Sequence, residues 1–268
     1  MNTSSTFVAA DGDGYELQLG RWSRRLAVPF LDWIGCADGE RVLDVGCGTG
    51  HLAAAVTTLS RPAEVHGIDF SAAYIDHATA HHAGDPRLVF RVGDACALDF
   101  PDASFDRVLA LLVLHFVPRA DQAIAEMRRV ARPGGVVGAA VWDARGGFVA
   151  NRLFFDTAAA LDPKAGERRA RNYTRPMTRP GELAAAWRAA GLREVRETVL
   201  SIRMEFASFA DYWMPYVGRD GPGAEYVGSL GPTERERLEA AVRAAYLDGE
   251  PDGPRSHAAL AWAVKGTA

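Results

Sequence analysis

Glycines at alternate positions follow a short apolar segment near residue 45. The segment reads Val42-Leu43-Asp44-Val45, and Gly46, Gly48 and Gly50 come directly after it. Glycine lets the backbone turn sharply and lets a ligand lie against bare amide groups. A glycine loop at the carboxyl end of a first strand is the usual place for a nucleotide in a parallel sheet. A tight strand-to-helix turn is the alternative interpretation, so the surrounding residues must decide.

Acidic residues follow the next two apolar segments. Asp69 lies about 20 residues beyond the glycines, where a carboxylate can accept hydrogen bonds from both hydroxyls of a ribose. Asp94 follows the third segment, where its carboxylate can accept from an adenine amino group and the Ala95 amide can pair with a ring nitrogen. Each acid alone would also suit a helix cap or a turn. Signals at three successive strand ends together favour the nucleotide interpretation.

Short apolar segments alternate with helix-forming segments over residues 41–142. The predicted strands are residues 41–45, 64–68, 88–92, 105–111 and 136–142. This alternation predicts an α/β fold with a parallel, doubly wound sheet, and right-handed crossovers fix most of its topology. Ser71 is the predicted N-cap of the helix after the second strand. Arg132-Pro133-Gly134-Gly135 is a predicted turn before the fifth strand.

Beyond Trp142 the alternation stops. The elements predicted there are helices over 148–161, 182–190 and 234–247, strands over 192–201 and 258–264, an arginine-rich connector over 163–179 and a glycine-rich loop over 218–231. Thr233 is the predicted cap of the last helix, with Glu236 completing a capping box. Aromatic residues are dense over 206–217, and we expect this stretch to form part of a lid.

The composition is that of an ordinary globular protein. The chain has 268 residues, 48% of them hydrophobic and 24% charged, and a chain this long buries a large core without disulfides. Its net charge of −4 disfavours nonspecific binding of nucleic acid.

The cysteines and the apolar segments bear on compartment and metal binding. Cys36, Cys47 and Cys96 form no Cys-x-x-Cys pair, so the sequence indicates neither a thiolate zinc site nor a disulfide framework. His77 and His81 lie one helical turn apart, but no third ligand accompanies them. The longest apolar run falls short of the roughly 20 residues that span a bilayer. We therefore expect a cytoplasmic protein with no metal, no nucleic acid and no membrane as partner.

Residues 40–142 resemble class I S-adenosylmethionine-dependent methyltransferases, in particular the small-molecule group of the ubiquinone and menaquinone methyltransferase type. The segments that carry the resemblance are residues 43–50, 67–71, 93–95, 105–108, 114–116 and 132–135. The spacing of the three glycines differs from the G-x-G-x-x-G of dinucleotide-binding dehydrogenases. The apolar segment Ala110-Leu111-Leu112-Val113 stands where enzymes that methylate nucleic-acid amino groups carry an Asn-Pro-Pro-Tyr-like tetrapeptide.

The resemblance implies a Rossmann-like sheet of seven strands, the last of them antiparallel, with a helical lid. It implies S-adenosylmethionine as cofactor and S-adenosylhomocysteine as product. The implied divisions are an N-terminal helical lid segment (1–40), a cofactor-binding core (41–145), a lid insertion (146–190) and a C-terminal part that completes the sheet (191–268) and carries an aromatic lid segment (206–231). The implied cofactor contacts are Tyr15, Arg21, Asp44, Gly46, Cys47, Gly48, Asp69, Phe70, Asp94, Ala95, Ala110 and Leu111.

The chemistry that follows is methyl transfer to a small-molecule acceptor. Displacement at a sulfonium methyl has a good, neutral leaving group, so alignment of the reactants supplies much of the acceleration. His115 is the candidate general base for an acceptor that must lose a proton, and packing is its alternative role. The candidate acceptor contacts are Trp22, Trp142, Phe148, Asn151, Tyr173, Trp213 and Tyr216. The alternatives to this function are a non-catalytic S-adenosylmethionine-binding protein and a protein or nucleic-acid methyltransferase, and the acceptor atom (O, N or C) stays open.

Overall fold

Seven strands form one mixed sheet in the computed structural model, which describes residues 12–218 and 221–268. The strands are β1 (Arg41–Val45), β2 (Glu64–Asp69), β3 (Leu88–Val92), β4 (Phe105–Leu111), β5 (Ala131–Trp142), β6 (Arg193–Phe206) and β7 (Arg255–Thr267). Their order across the sheet is β3-β2-β1-β4-β5-β7-β6, with β7 antiparallel to both of its neighbours. The expected seven-stranded α/β sheet with an antiparallel last strand is confirmed.

The order of the strands determines where a ligand can bind. Strand β1 pairs in parallel with β2 on one side and with β4 on the other, so the chain reverses its direction across the sheet at β1. In such sheets a crevice opens outside the carboxyl end of the strands at this reversal point. The glycines that follow β1 therefore lie at the mouth of that crevice.

Helices cover both faces of the sheet, which is why the parallel strands are apolar on both sides. The helices are α1 (Gly12–Tyr15), α2 (Arg21–Ile34), α3 (His51–Leu59), α4 (Ala72–His81), α5 (Ala120–Val130), α6 (Val149–Leu161), α7 (Pro163–Tyr173), α8 (Glu182–Ala189), α9 (Phe209–Trp213), α10 (Gly221–Gly228) and α11 (Pro232–Leu247). A π-helical turn over Glu16–Gly20 joins α1 to α2. Ser71 caps α4 by accepting a hydrogen bond from the Tyr74 amide, as its sequence context predicts.

Helix α2 positions the N-terminal segment over the crevice. Its residues Trp22, Leu26, Phe30 and Ile34 are spaced four apart and are all buried, so they form one apolar face. That face packs against α3 and against strands of the sheet. The fixed position of α2 holds the preceding residues above the carboxyl ends of β1 and β2.

The predicted arginine-rich connector over 163–179 is wrong for its first part, which is helix α7. Asp162 caps this helix by accepting from the Lys164 amide, and Pro163 occupies the first helical position, where its missing N–H costs nothing. Arginine is a good helix former, and here Arg168 pairs with Glu225 at 2.8 Å. The arginine-rich segment after Pro163 therefore forms an ordinary helix.

Three further predictions also fail at this level. The glycine-rich loop over 218–231 contains α10, whose buried Tyr226 and Val227 pack it against the core despite the low helix propensity of glycine. The cap of α11 is Gly231 with Glu234, not Thr233 with Glu236, because Pro232 takes the first helical position. The predicted turn before β5 is part of that strand, which begins at Ala131.

Among the described residues, no helix is long and apolar enough to cross a membrane.

Candidate active site

The glycine loop after β1 is held in a conformation that only glycine adopts easily. Gly46 has φ +72°, and a Cβ at this position would lie 2.4 Å from Cγ2 of Val113. The amides of Gly46 and Cys47 both donate to the Ile68 carbonyl, at 2.8 and 2.9 Å, and so tie the loop to β2. The loop can therefore turn and still let a ligand approach its backbone.

Asp69 ends β2 and fixes the same loop through its carboxylate. Its Oδ2 accepts from the Gly48 amide and its Oδ1 from the Ser71 amide, each at 3.0 Å. Burial raises the pKa of Asp69 above its usual value, although these amide hydrogen bonds act in the opposite direction. Each carboxylate oxygen has lone pairs left after one hydrogen bond, so the side chain can hold the loop and still accept from ligand hydroxyls.

Asp44 lies beneath the loop and is 1% exposed. Its Oδ2 accepts from the Ala53 amide at 3.2 Å, while its Oδ1 has no partner among the described residues. Burial raises the pKa of Asp44 to about 8, with a smaller contribution from the nearby charge of Asp69. A buried acceptor without a partner costs free energy, and a cationic ligand group would supply what is missing.

A cavity of about 440 Å³ lies in front of the loop, and we call it the glycine-loop cavity. It is lined by Tyr15 and Leu19 from the N-terminal segment, Gly46 and Gly48 from the loop, Asp69, Phe70 and Tyr74 beyond β2, and Leu111, Leu112, Val113 and Phe116 beyond β4. A smaller space of about 280 Å³ adjoins it and is lined in part by Gly93, Ala95 and Val117. The two spaces share Gly46, Asp69, Phe70 and Val113 in their linings, so they are direct neighbours.

A second cavity, which we call the aromatic cavity, lies beside the first. It holds about 910 Å³ of empty space, including its open mouth. Leu19, Leu112 and Phe116 line both cavities. Leu112 has φ +63°, a conformation that non-glycine residues rarely adopt. This strained residue therefore stands where the two cavities adjoin.

The N-terminal segment closes the glycine-loop cavity through one carboxylate. Oε1 of Glu16 accepts from Thr49 Oγ1 at 2.5 Å and lies 2.6 Å from Nε2 of His51. Thr49 lies within the glycine loop and His51 directly follows it. The neighbouring Tyr15 ring lies 5.1 Å from the Tyr74 ring across the cavity mouth. The N-terminal segment thus lines this cavity from residue 12 onward, its role as a lid stays a prediction, and residues 1–11 lie outside the described part.

The structure brings most of the predicted cofactor contacts to this region. Tyr15, Gly46, Gly48, Asp69, Phe70, Ala95 and Leu111 line the two joined spaces, and Asp44 and Cys47 lie buried against the loop. Asp94 does not line them, because its Oδ1 accepts from the Cys96 amide at 2.8 Å and turns along its own loop. Its predicted contact with adenine stays a prediction.

Two predicted cofactor contacts lie elsewhere. Arg21 donates to Asp211 at 2.8 Å and lies over the Trp22 ring, so it joins α2 to α9. Ala110 is fully buried within β4. It lies beneath the surface of the cavity, because side chains of a strand alternate between the two faces of the sheet and only the next residue, Leu111, reaches the ligand region.

The predicted acceptor contacts divide in the same way. Trp22, Trp142, Phe148, Asn151 and Tyr216 line the aromatic cavity. Tyr173 does not, because its hydroxyl donates to Asp156 at 3.1 Å on the outer side of α6. Trp213 does not either, because it stacks on Phe209 with ring centroids 5.9 Å apart. A high density of aromatic residues in the sequence therefore does not show which of them line the cavity and which pack in the hydrophobic core.

Several residues that line the aromatic cavity are not among those predicted from the sequence. They are Gln18, Leu19, Leu112, Phe116, Asn172, Arg175, Phe206 and Tyr212. The position of Leu112 and Phe116 just after β4 was a usable signal, because carboxyl ends of adjacent parallel strands meet at one edge. Asn172 is in the last turn of α7 and Arg175 lies just beyond that helix, both within the predicted connector, so neither had such a signal.

His115, the candidate base, lies in a short 3-10 turn after β4 and lines the aromatic cavity. It is 6% exposed, and its ring centroid is 4.0 Å from that of Phe116. Burial lowers the pKa of His115 to about 3, with a smaller effect from the charge of Arg175. The ring is therefore neutral at pH 7 and is a weak base.

No group of three metal-ligating side chains occurs within the described ranges 12–218 and 221–268.

Comparisons with known proteins show which proteins this chain is similar to. Residues 43–138 match the family model described as a methyltransferase domain. The chain is 43% identical over 100 residues to the fatty-acid O-methyltransferase of Mycolicibacterium smegmatis, covering 37% of this chain and 35% of that protein. It is 36% identical over 124 residues to a ubiquinone/menaquinone biosynthesis C-methyltransferase of Paracoccus denitrificans, covering 45% of this chain and 49% of that protein. The chain thus spans a third to a half of the length of the curated relatives it matches.

Among solved structures, a phosphoethanolamine N-methyltransferase 2 from Haemonchus contortus superimposes with a TM-score of 0.59 at 15% identity, covering 96% of this chain and 56% of that one. At this identity the likeness concerns the fold. The matched domain contains the glycine loop, Asp69 and Asp94, and it ends within β5. Residues 43–138 of this chain are therefore similar to a methyltransferase domain, and the fold is similar to that of a solved methyltransferase.

Proposed function

We propose that this protein transfers a methyl group from S-adenosylmethionine to a small-molecule acceptor. The single observation that carries the proposal is the junction of the two cavities. The glycine-loop cavity suits the cofactor, the aromatic cavity suits an acceptor, and Leu19, Leu112 and Phe116 line both. A methyl group at that junction would face an acceptor in the neighbouring cavity.

The residues present fit S-adenosylmethionine by their chemistry. Asp69 lines the glycine-loop cavity and would accept from ribose hydroxyls, and the unpaired Oδ1 of Asp44 suits the ammonium group of the methionine part. The apolar space beside Gly93 and Ala95 suits the adenine ring. Related support comes from the Haemonchus contortus enzyme of similar fold, whose structure contains S-adenosylhomocysteine.

The chain's own contribution to the reaction is alignment and exclusion of water. When bound, the cofactor supplies a sulfonium methyl with a neutral leaving group. Tyr15 and Leu19 line the glycine-loop cavity on its N-terminal side, and Leu112 and Phe116 line it where it adjoins the aromatic cavity. Holding the nucleophile in line and dry supplies much of the rate acceleration. The low pKa of His115 fits this scheme better than general-base catalysis.

The test is turnover with a labelled methyl donor. Purified protein is incubated with S-adenosylmethionine carrying a labelled methyl group and with fractionated small-molecule extracts, and S-adenosylhomocysteine and labelled products are measured. We expect label in the small-molecule fraction. Cofactor binding without turnover in any fraction would indicate the non-catalytic alternative. Label in protein or nucleic acid alone would contradict the small-molecule acceptor.

The cysteines and the net charge bear on the compartment and the partners of this protein. All three cysteines, Cys36, Cys47 and Cys96, are free thiols, which suits a reducing compartment. We therefore propose the cytoplasm. The net charge of −4 supports a small molecule, and not nucleic acid, as the partner.

The pKa of Asp44 predicts how cofactor binding depends on pH. With a pKa of about 8 in the free protein, Asp44 is mainly protonated at pH 6, and pairing with an ammonium group requires that this proton leave. The affinity for S-adenosylmethionine should therefore rise by up to about tenfold per pH unit as the pH increases from 6 to 8. Above pH 8 the α-amino group of the cofactor itself loses its charge, so the affinity should reach its maximum near pH 8.

Calorimetry at pH 6, 7 and 8 measures this dependence. Asp44→Asn should bind more weakly at pH 8 and lose most of the rise, because the amide does not titrate. A wild-type affinity that is constant from pH 6 to pH 8 would contradict the pairing of Asp44 with the cofactor.

The pKa of His115 predicts a separate effect on stability. Its pKa is about 3 in the folded state and about 6.5 when unfolded, so the unfolded state binds the proton more readily. The His115 contribution to stability is therefore complete above pH 6.5 and is lost as pH falls toward 3. Between pH 7 and pH 5 the free energy of unfolding should fall by about 2 kcal/mol from this group alone.

His115→Asn should remove that part of the pH dependence in urea titrations at pH 7 and pH 5. Once an acceptor is identified, the variant should keep kcat at saturating acceptor within about tenfold of wild type, whereas loss of a general base costs about a hundredfold or more. A hundredfold loss of kcat, with a wild-type inflection near pH 6.5, would restore His115 as the base.

A further inference from the structure

Three side chains around the aromatic cavity carry buried polar atoms that have no hydrogen-bond partner in the part of the chain that the structure describes. They are Oε1 of Gln18, Nδ1 of His115 and Nε1 of Trp142. Trp142 and His115 are only 4% and 6% exposed. Buried polar atoms normally have partners, because leaving them unpaired costs free energy. Their grouping around one cavity indicates that an occupant supplies the missing partners.

The types of these atoms define what the occupant must offer. An indole Nε1–H only donates, an amide Oε1 only accepts, and a neutral imidazole Nδ1 does one or the other according to its tautomer. The occupant therefore needs a hydrogen-bond acceptor for Trp142 and a donor for Gln18. A single hydroxyl group has both functions, since its oxygen accepts while its proton is donated.

The charges around the cavity disfavour a cationic occupant. Its described lining residues include no Asp or Glu. Arg175 is the one arginine among them, and it is already engaged: Nη2 donates to Asn172 Oδ1 at 3.1 Å, and the guanidinium carbon lies 4.5 Å from the Phe116 ring centroid. The unpaired atoms are therefore all on neutral groups.

The shape of the wall favours a flat ring. Trp22, Phe148, Phe206 and Tyr216 line the cavity, and aromatic rings pack well against other rings by stacking or edge contact. The Tyr216 ring is itself fixed, because it stacks on Phe154 with centroids 3.9 Å apart and planes 5° apart. A rigid aromatic wall complements a planar molecule better than a flexible chain.

We propose that the aromatic cavity binds an uncharged, planar aromatic molecule bearing a hydroxyl group, with Trp142 donating to the hydroxyl oxygen and Gln18 accepting from its proton. Trp142 is thus a specificity-determining residue. That this occupant is the methyl acceptor rests on the proposed function. The binding preference itself does not depend on methyl transfer.

The test uses three probes of equal ring size: naphthalene, 2-naphthol and 2-naphthoate. Binding to the full chain is followed by nitrogen-15 NMR of the indole N–H groups, with and without S-adenosylhomocysteine. The Trp142 signal is assigned by its loss in Trp142→Phe, which keeps an aromatic ring but removes the donor. Trp33→Phe is the matched control, because Trp33 lies on α2 beside Lys265 and lines no part of the cavity.

We expect 2-naphthol to bind wild type and Trp33→Phe about tenfold more tightly than naphthalene, the worth of a neutral hydrogen bond. It should shift the Trp142 signal, and the tenfold preference should disappear in Trp142→Phe. If that variant does not fold, the wild-type shift and the wild-type preference still decide. Equal binding of naphthol and naphthalene, no binding of naphthol, or tighter binding of naphthoate would overturn the proposal. Failure to bind S-adenosylmethionine would instead contradict the proposed function. The binding results for naphthalene, 2-naphthol and 2-naphthoate would still test the occupant of the aromatic cavity.

Discussion

An Asp69→Ala variant should bind S-adenosylmethionine at least about tenfold more weakly than wild type, because the carboxylate holds the ribose hydroxyls through charge-assisted bonds of about 1.5–3 kcal/mol each. The carboxylate also accepts from the amides of Gly48 and Ser71. Its removal should therefore lower the free energy of unfolding by about 1–3 kcal/mol, since two buried amides lose their acceptor. Calorimetric titration of protein shown to be folded by circular dichroism measures the affinity.

Two further variants make the result specific to this carboxylate. Asp76→Ala removes an exposed acid from the next helix, α4, and should leave the affinity unchanged. Asp69→Asn keeps one acceptor oxygen and should fall between wild type and Asp69→Ala. A folded Asp69→Ala protein with the wild-type dissociation constant would show that Asp69 does not bind the cofactor.

Gly46→Ala should lower the free energy of unfolding by about 2–5 kcal/mol. A left-handed conformation costs an L-residue about 1–2 kcal/mol, and overpacking costs a further 1–3 kcal/mol or so. Both apply at Gly46, which has φ +72° and whose added Cβ would lie 2.4 Å from Val113. Because Val113 lines the glycine-loop cavity, cofactor affinity should fall as well. Urea unfolding and calorimetry measure the two effects.

Other glycines of this chain separate the two causes. Gly39 has φ +78° but no atom within 4 Å of an added Cβ, so Gly39→Ala should show the conformational cost alone. Gly84 has neither feature, and Gly84→Ala should be near neutral. If Gly46→Ala were no more harmful than Gly39→Ala, the close approach of Val113 would have no energetic importance.

The local sequence was sufficient to predict the core of the sheet. Strands β1, β3 and β4 have the bounds that their apolar runs predict. The runs of β1 and β4 reflect burial inside the sheet, whereas β3 is an edge strand and is partly exposed. The strand after residue 63 extends only one residue further, to Asp69. The resemblance, which depends on short motifs at strand ends, indicated the antiparallel last strand, and the topology confirms it.

The sequence was less informative beyond Trp142. Helices α7 and α10 lie in segments rich in arginine or glycine, where composition indicates loops. Their stability comes from packing and ion pairs with distant residues, such as Arg168 with Glu225, and local propensity does not report such contacts. The acceptor side of the site draws on these helices, so its residues were the harder ones to find.

Local sequence patterns are enough to predict that Gly46, Gly48, Asp69 and the residues after β4 meet at one edge of a parallel sheet, because strand direction and right-handed crossovers leave little choice. The surroundings of individual side chains depend on how distant segments pack together. Tyr216 and Trp213 are three residues apart, yet one lines the aromatic cavity and the other packs on Phe209. His115 follows a strand end like a catalytic residue, yet the depth of its burial makes it a weak base. Burial depends on neighbours from every part of the chain, and no local pattern encodes it.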